Sequence, residues 1–315
     1  MKAMRDGFLA TLLDRMQQRD DVFFLTADFG SPLLDRMRQE HPGRCINVGI
    51  AEQNLINVAL GLALEGFKVY AYAIAPFLTM RCYEQIRVGL ALHAQLRPVQ
   101  VTLLGVGAGM SYEVSGPTHH CLEDLAILGV LPHMEIHAPS DAATAALLVD
   151  HTLEAPGPKY IRMEGKPLPD LQAKVSPAAL EEGFRLLRPG RHLVLATGYM
   201  VHKALRIADR LSPGTLGVID LLRPKPIRSR ALQGLVAQAS SVVTLEEGFL
   251  GSGGLDGMVA HFLREAGLHQ PLNTFGLRDR YLFDLGSREY LHQCAGLGED
   301  DLVAAMDKLF RGLCA

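Results

Sequence analysis

The chain has 315 residues, of which 48% are hydrophobic and 21% charged, and it carries a net charge of −3. That is enough for two ordinary domains or one large one with a full core, and it argues against a disordered polymer. With no basic block, nucleic acid is not an expected partner. The opening MKAMRDGFLATLLDRMQQRDD carries charges throughout and has neither a clean apolar core nor a small-residue cleavage site, so no secretory signal is expected. No run of about 18 uncharged apolar residues occurs, so no membrane span is expected. Cys45, Cys82, Cys121, Cys294 and Cys314 are scattered, odd in number and without CxxC spacing. They read as reduced thiols of a cytoplasmic protein, with neither a disulfide frame nor a zinc site.

In chain order, VFFLTAD (22–28), KVYAYAIA (68–75), PVQVTLLGV (98–106), HMEIHAP (133–139) and KYIRM (159–163) predict strands. Between them, LTMRCYEQIRVGLALH (78–93) and DAATAALLVDHTL (141–153) predict helices. The stretch 163–183, MEGKPLPDLQAKVSPAALEEG, breaks this alternation with three prolines and two glycines, which suits a linker. A second series follows. HLVLATG (192–198), TLGVID (215–220), SVVTLEE (241–247) and LNTFG (272–276) predict strands. VHKALRIADRL (201–211), RALQGLVAQA (230–239), LDGMVAHFLREAG (255–267) and DLVAAMDKLF (301–310) predict helices. The expected fold is therefore α/β with two domains, residues 1–168 and 185–315, joined by a linker at 169–184. Each should be a mostly parallel sheet flanked by helices.

One acid stands out. In NVGIAEQNLINVALGLALEGF (47–67), Leu55, Ala59, Leu62 and Ala63 fall at helical spacing and Gly66 suits a helix stop, so Glu52 lies in the first helical turn. An acid there is favoured by the helix macrodipole by about 0.3–1 kcal/mol, which alone could account for it. The preceding VGIA is small and apolar, however, and lets another body come close. In open α/β sheets, ligands bind where strands end and helices begin. A second candidate, GSGG (251–254), has the look of a phosphate-cradling loop at a helix N-terminus, and the structural reading of it is favoured.

VGIAEQN followed by GLALEGFK resembles the glutamate motif of the thiamin-diphosphate enzymes of the transketolase type, including deoxyxylulose-phosphate synthases. APFLTMRCYEQIR (75–87) is similar to the family's aromatic-then-arginine stretch, and SGPTHHCLEDLAILGVLPHMEIHAPSD (115–141) to its Gly-Pro-Thr-His segment. LATGYMVHKAL (195–205), VIDLLRPKPI (218–227), VVTLEEGFLGSGG (242–254) and FGLRDRYLFDLGSREYL (275–291) resemble its C-terminal domain. The resemblance covers nearly the whole chain, in register. It implies a pyrimidine-binding domain followed by a transketolase C-terminal domain.

It also implies roles. Glu52 would hydrogen-bond N1′ of the cofactor's aminopyrimidine, favouring the imino tautomer that removes the thiazolium C2 proton. Phe77 matches the ring that stacks on the aminopyrimidine, against a core phenylalanine as the structural alternative. Arg81 matches an arginine that reaches the active site in deoxyxylulose-phosphate synthases, against a surface arginine. His119 matches the histidine that faces substrate oxygens and shuttles protons. His120 stands where many relatives have glutamine, and the adjacent pair is not expected to bind metal. Asp28, in TADFGS, matches a segment near the cofactor, or caps the next helix. Ser115 replaces an aspartate that contacts the donor's hydroxyl, and Gly107 replaces a histidine that binds the phosphate end. Lys166 roughly matches a phosphate-binding arginine with its spacing off by one, and stays outside the site.

The family's complete enzymes hold the diphosphate and Mg²⁺ through Gly-Asp-Gly in a further N-terminal domain. That motif is missing here; the nearest imitation, GGLDGM (253–258), lies in the wrong domain. The resemblance thus implies the C-terminal half of a split enzyme. Thiamin diphosphate would be shared in an α₂β₂ assembly, and Mg²⁺ held by an N-terminal partner subunit. Two alternatives stay open: the β subunit of a 2-oxoacid dehydrogenase decarboxylating component, and a non-catalytic scaffold subunit of the same fold.

Overall fold

The computed structural model describes residues 1–171 and 175–312. The described chain forms two compact units: Met1–Ala108 with Ile127–Leu171, and Gly109–Ala126 with the described residues after Leu171. The segment containing the Gly-Pro-Thr-His motif thus packs with the C-terminal elements.

The first unit opens with helix α1 (Met4–Met16). Its Met4, Phe8, Leu9, Leu12, Leu13 and Met16 are all buried, so the charges of the opening segment occupy the opposite, solvated face. Strand β1 (Val22–Thr26), helix α2 (Pro32–Glu40), strand β2 (Cys45–Asn47), helix α3 (Glu52–Leu64) and strand β3 (Lys68–Ile74) follow. Residues 77–95 are helical, as expected, but not a uniform α-helix. Phe77–Arg81 and Ile86–Leu92 are wound as π-helix on either side of a single α turn, α4 (Tyr83–Gln85), and His93–Gln95 is 3₁₀. The buried Thr79 hydroxyl donates to the Ala75 carbonyl at 2.8 Å, a local competitor for the ordinary ladder. Strand β4 (Val101–Val106), helix α5 (Asp124–Gly129), strand β5 (Glu135–His137), helix α6 (Ala142–Glu154) and strand β6 (Lys159–Met163) complete the series.

These strands form one sheet in the order β2-β1-β3-β4-β6-β5. Every pairing in it is parallel. Such a sheet must be covered on both faces, and its central strands carry continuous apolar runs: β4 is buried at all six positions. Helices α1 and α6 approach closely because Gly7 has no side chain; a Cβ there would lie 2.6 Å from the Ala142 carbonyl oxygen. Because all strands run the same way, their C-terminal ends share one edge. Asp28 follows β1, Glu52 follows β2, Phe77 follows β3 and Gly107 follows β4.

Beyond Leu171 the second unit continues with a short helix, α7 (Pro177–Glu182), inside the stretch whose composition suggested a linker. Pro177 is a helix starter here, at the first helical position behind Ser176, whose hydroxyl accepts from Ala179 N–H at 3.1 Å. Residues 172–174 of that linker lie outside the described residues. Then come β7 (Arg185–Arg188), β8 (His192–Ala196), α8 (Tyr199–Arg210), β9 (Leu216–Asp220), α9 (Arg230–Gln238), β10 (Ser241–Phe249), α10 (Leu255–Glu265), β11 (Leu272–Leu277), α11 (Arg288–Ala295) and α12 (Glu299–Gly312). The sheet order is β11-β10-β8-β9-β7, parallel except for the edge strand β7. Cys45, Cys82 and Cys294 form no disulfide, and Cys314 lies outside the described residues. Among the described residues, no helix is long and apolar enough to cross a membrane.

Candidate active site

In the first unit three of the expected residues meet. Glu52 starts α3 and is only 4% exposed. Its Oε2 accepts a hydrogen bond from Arg81 Nη1 at 2.6 Å, and the Arg81 guanidinium lies over the Phe77 ring, 4.7 Å from its centroid. The π-helical winding of 77–81 carries both Phe77 and Arg81; such windings recur at functional sites. Arg81 itself reaches solvent, its side chain 46% exposed. The neighbouring Cys82 thiol is pushed up to about 12 by burial, with the Glu52 charge adding to it. The approach to Glu52 turns at Gly49, whose φ of +77° suits glycine, and presents Ile50, 79% exposed, to solvent.

Asp28 does not cap α2: the Ser31 N-cap has no side-chain partner. It sits in the left-handed region (φ 52°), where its carboxylate accepts from Asn47 Nδ2 at 2.8 Å and its own N–H donates to Asn47 Oδ1 at 3.0 Å. The same Asn47 oxygen accepts from Gly49 N–H at 3.0 Å. Asp28 and Asn47 therefore tie the end of β1 to the turn that delivers Glu52. The sequence reading had no role for Asn47; its position just before VGIA, across β2 from β1, is the signal that could have raised it.

The residues expected to face substrate lie in the second unit, on a loop closed by paired backbone hydrogen bonds between Gly109 and Cys121, at 3.0 and 2.8 Å. On it Ser115 is exposed, His119 half-buried and His120 fully buried. His119 is set by its N–H on the Gly116 carbonyl at 3.0 Å, and its Nδ1 pairs with the Thr118 hydroxyl at 3.1 Å. Among the described residues neither ring nitrogen of His120 meets a hydrogen-bond partner. Burial pushes its imidazole below the ordinary value, against the opposing pull of Glu247.

Glu247, on β10, anchors this loop and was not singled out in the sequence. Arg288 of α11 grips it with two hydrogen bonds, 2.8 and 2.5 Å, and His292 Nε2 lies 2.5 Å from Oε1. Its Oε2 also accepts from Met110 N–H at 3.3 Å. Burial alone would raise this carboxyl, but Arg288 and His292 outweigh it and hold it well below the usual carboxylate range. Behind His292, the buried Lys203 ammonium meets Nδ1 at 2.5 Å. The GSGG loop is structural: the N–H groups of Leu255 and Asp256 at the start of α10 donate to Glu246 at 2.9 and 2.8 Å. A protein carboxylate thus takes the place an anion would occupy.

Comparison with known proteins matches most of the chain to one family. Residues 1–169 match the family model "Transketolase, pyrimidine binding domain" and residues 184–302 match "Transketolase, C-terminal domain". The chain belongs to the transketolase family. It is 30% identical over 305 residues to the 6-deoxy-6-sulfo-D-fructose transketolase subunit SqwH of Clostridium sp. (strain MSTE9), covering 96% of this chain and 92% of that one. It is 32% identical over 311 residues to the 1-deoxy-D-xylulose-5-phosphate synthase of Rhodococcus erythropolis (strain PR4), which spans 94% of this chain but 45% of the synthase. A solved structure described as a split gene transketolase, inactive beta4 tetramer, superposes with a TM-score of 0.85 at 30% identity, covering 99% of each chain.

Proposed function

We propose that this chain is the C-terminal (β) subunit of a split, thiamin-diphosphate-dependent transketolase-like enzyme that passes a ketol unit to an aldehyde acceptor. The observation that carries the reading is the buried Glu52 carboxylate at the head of α3, held by Arg81 beside the Phe77 ring. These residues fit the pyrimidine end of the cofactor: a carboxylate out of bulk water for a ring nitrogen, and an aromatic face for the ring. When bound, thiamin diphosphate supplies the electron sink that lets a bond beside a ketone carbonyl break. Glu52 would hydrogen-bond ring atom N1′ of the bound cofactor, and its burial would keep water from screening that contact. Arg81 fixes the carboxyl through Oε2. Phe77 orients the ring, and Asp28 with Asn47 fixes the turn that delivers Glu52. His119 moves protons at the substrate's oxygens, its Thr118 contact setting the ring. Ser115 offers an exposed hydroxyl to the donor, and His120 backs the same loop from within.

The diphosphate and Mg²⁺ are assigned to an N-terminal partner subunit in an α₂β₂ assembly. Two comparisons support that assignment: one relative is itself described as a subunit, and the β-only tetramer of a split-gene transketolase is described as inactive. The protein is placed in the cytoplasm, in carbohydrate metabolism. The donor is read as something other than a pentose phosphate. Gly107 has φ +108°, where a histidine would be strained, and Ser115 carries no charge. The relative named for 6-deoxy-6-sulfo-D-fructose supports a non-standard ketose. The test is the cofactor dependence of ketol transfer by the assembled complex. Phe77→Ala should raise the cofactor's KM about tenfold, the size of a lost aromatic stack. An unchanged cofactor KM would remove the pyrimidine assignment.

A further inference from the structure

Away from Glu52, the first unit brings together three side chains that the proposed reaction does not use. Glu135 and His137 are two residues apart on the edge strand β5, so they project from the same face. His151, in the last turn of α6, reaches the same place. Glu135 Oε1 lies 2.9 Å from His137 Nε2 and 3.3 Å from His151 Nε2. One ligand atom from each of the three residues falls within 4.8 Å of the others, and the two imidazoles meet edge to face with centroids 4.9 Å apart.

That spacing is close to what a small cation imposes. A tetrahedral ion with bonds of about 2.0–2.1 Å sets its ligand atoms about 3.4 Å apart. Both measured pairs are within about 0.5 Å of that value. Access is adequate. The Glu135 and His151 side chains are 20% and 21% exposed, whereas His137, at 1%, is fixed from within.

We propose that Glu135, His137 and His151 form a binding site for a divalent transition-metal ion of the zinc type, with water completing the coordination. Two imidazoles and one carboxylate suit Zn²⁺, Co²⁺ or Ni²⁺ and not the all-oxygen preference of Mg²⁺ or Ca²⁺. The ion would pin the sheet's edge strand β5 to α6, the helix whose start packs on Gly7 of α1. Its role is that of a structural clamp, and the site is independent of how the thiamin chemistry is assigned.

The test uses the full chain stripped with EDTA and titrated with Zn²⁺ alone by calorimetry. One ion per chain is expected, with affinity falling at least about tenfold in both His151→Ala and Glu135→Gln. His151 is partly exposed, so its variant should keep the wild-type far-UV circular dichroism. A second measurement needs no variant. The Co²⁺ form of the wild-type chain should show visible d–d bands without thiolate charge transfer. Absence of stoichiometric binding, binding retained by both variants, or a thiolate signature from a cysteine would each overturn the assignment.

Discussion

Glu52→Gln separates the chemical reading of Glu52 from the helix-terminus reading. The change keeps shape and hydrogen-bonding length but removes the charge. Its structural cost can be bounded. The lost charge-assisted contact is the one from Arg81 at 2.6 Å, and Arg81's side chain is 46% exposed, so water screens the pair and can take over the guanidinium. An ion pair of that exposure is worth about 0–1 kcal/mol, and the macrodipole term adds about 0.3–1 kcal/mol. The thermal midpoint should fall by no more than a few degrees, at roughly 2–4 °C per kcal/mol for a domain of about 150–250 residues. The chemical cost is larger. A positioned acid–base group contributes about 10²–10⁴ in rate, or roughly 2.7–5.5 kcal/mol at 1.36 kcal/mol per decade. The assay is exchange of the cofactor's C2 proton in the assembled complex, followed by NMR beside the melting curve. Exchange at least about 100-fold slower with a nearly unchanged midpoint supports the chemical role. Wild-type exchange would return Glu52 to the helix dipole.

The other predictions concern the second unit and the substrate. Glu247 is held well below the carboxylate range by Arg288 and His292 against the cost of its burial. Its stabilisation is therefore complete above the unfolded value of about 4.3 and is lost as pH falls through the folded value. Glu247→Gln should cost about 3–5 kcal/mol at pH 7 and flatten the acid limb of stability measured by urea melts; a wild-type acid limb would refute it. Gly109→Ala places a Cβ 1.8 Å from Glu247 Oε2 at a φ of +56°. It should cost at least about 1–3 kcal/mol and open the 109–121 loop to limited proteolysis, whereas unaltered protection would contradict the anchoring role. The assembled enzyme should prefer a non-phosphorylated or longer ketose. A kcat/KM of about 10⁴ M⁻¹s⁻¹ or more on xylulose 5-phosphate with ribose 5-phosphate would defeat that.

The parallel sheets were legible because their central strands are continuous apolar runs; β6 occupies the residues read from KYIRM, and β8 to β11 fall within a few residues of the expected runs. Short or half-solvated elements were not. Strand β2 has three residues with one side exposed, and β7 lies antiparallel at an edge, so neither leaves a clear period. Helix α1 was obscured by its charges, which sit opposite its apolar stripe. The Glu52–Arg81–Phe77 contact was approached only through resemblance, since residues 52 and 81 come together by way of β3 and a π-wound turn that no periodicity announces. Glu247 was hidden for a different reason. It lies within a buried strand, where sequence pattern favours apolar residues, and its partners Arg288 and His292 are some forty positions away.

The central claim is that this chain supplies the pyrimidine side of an active site completed by another polypeptide. Its most direct test is turnover of the purified chain with thiamin diphosphate, Mg²⁺ and a panel of ketose donors, with and without a co-purified partner bearing Gly-Asp-Gly. The account predicts no turnover from the chain alone and ketol transfer once the partner is added. Turnover by the chain alone would contradict it.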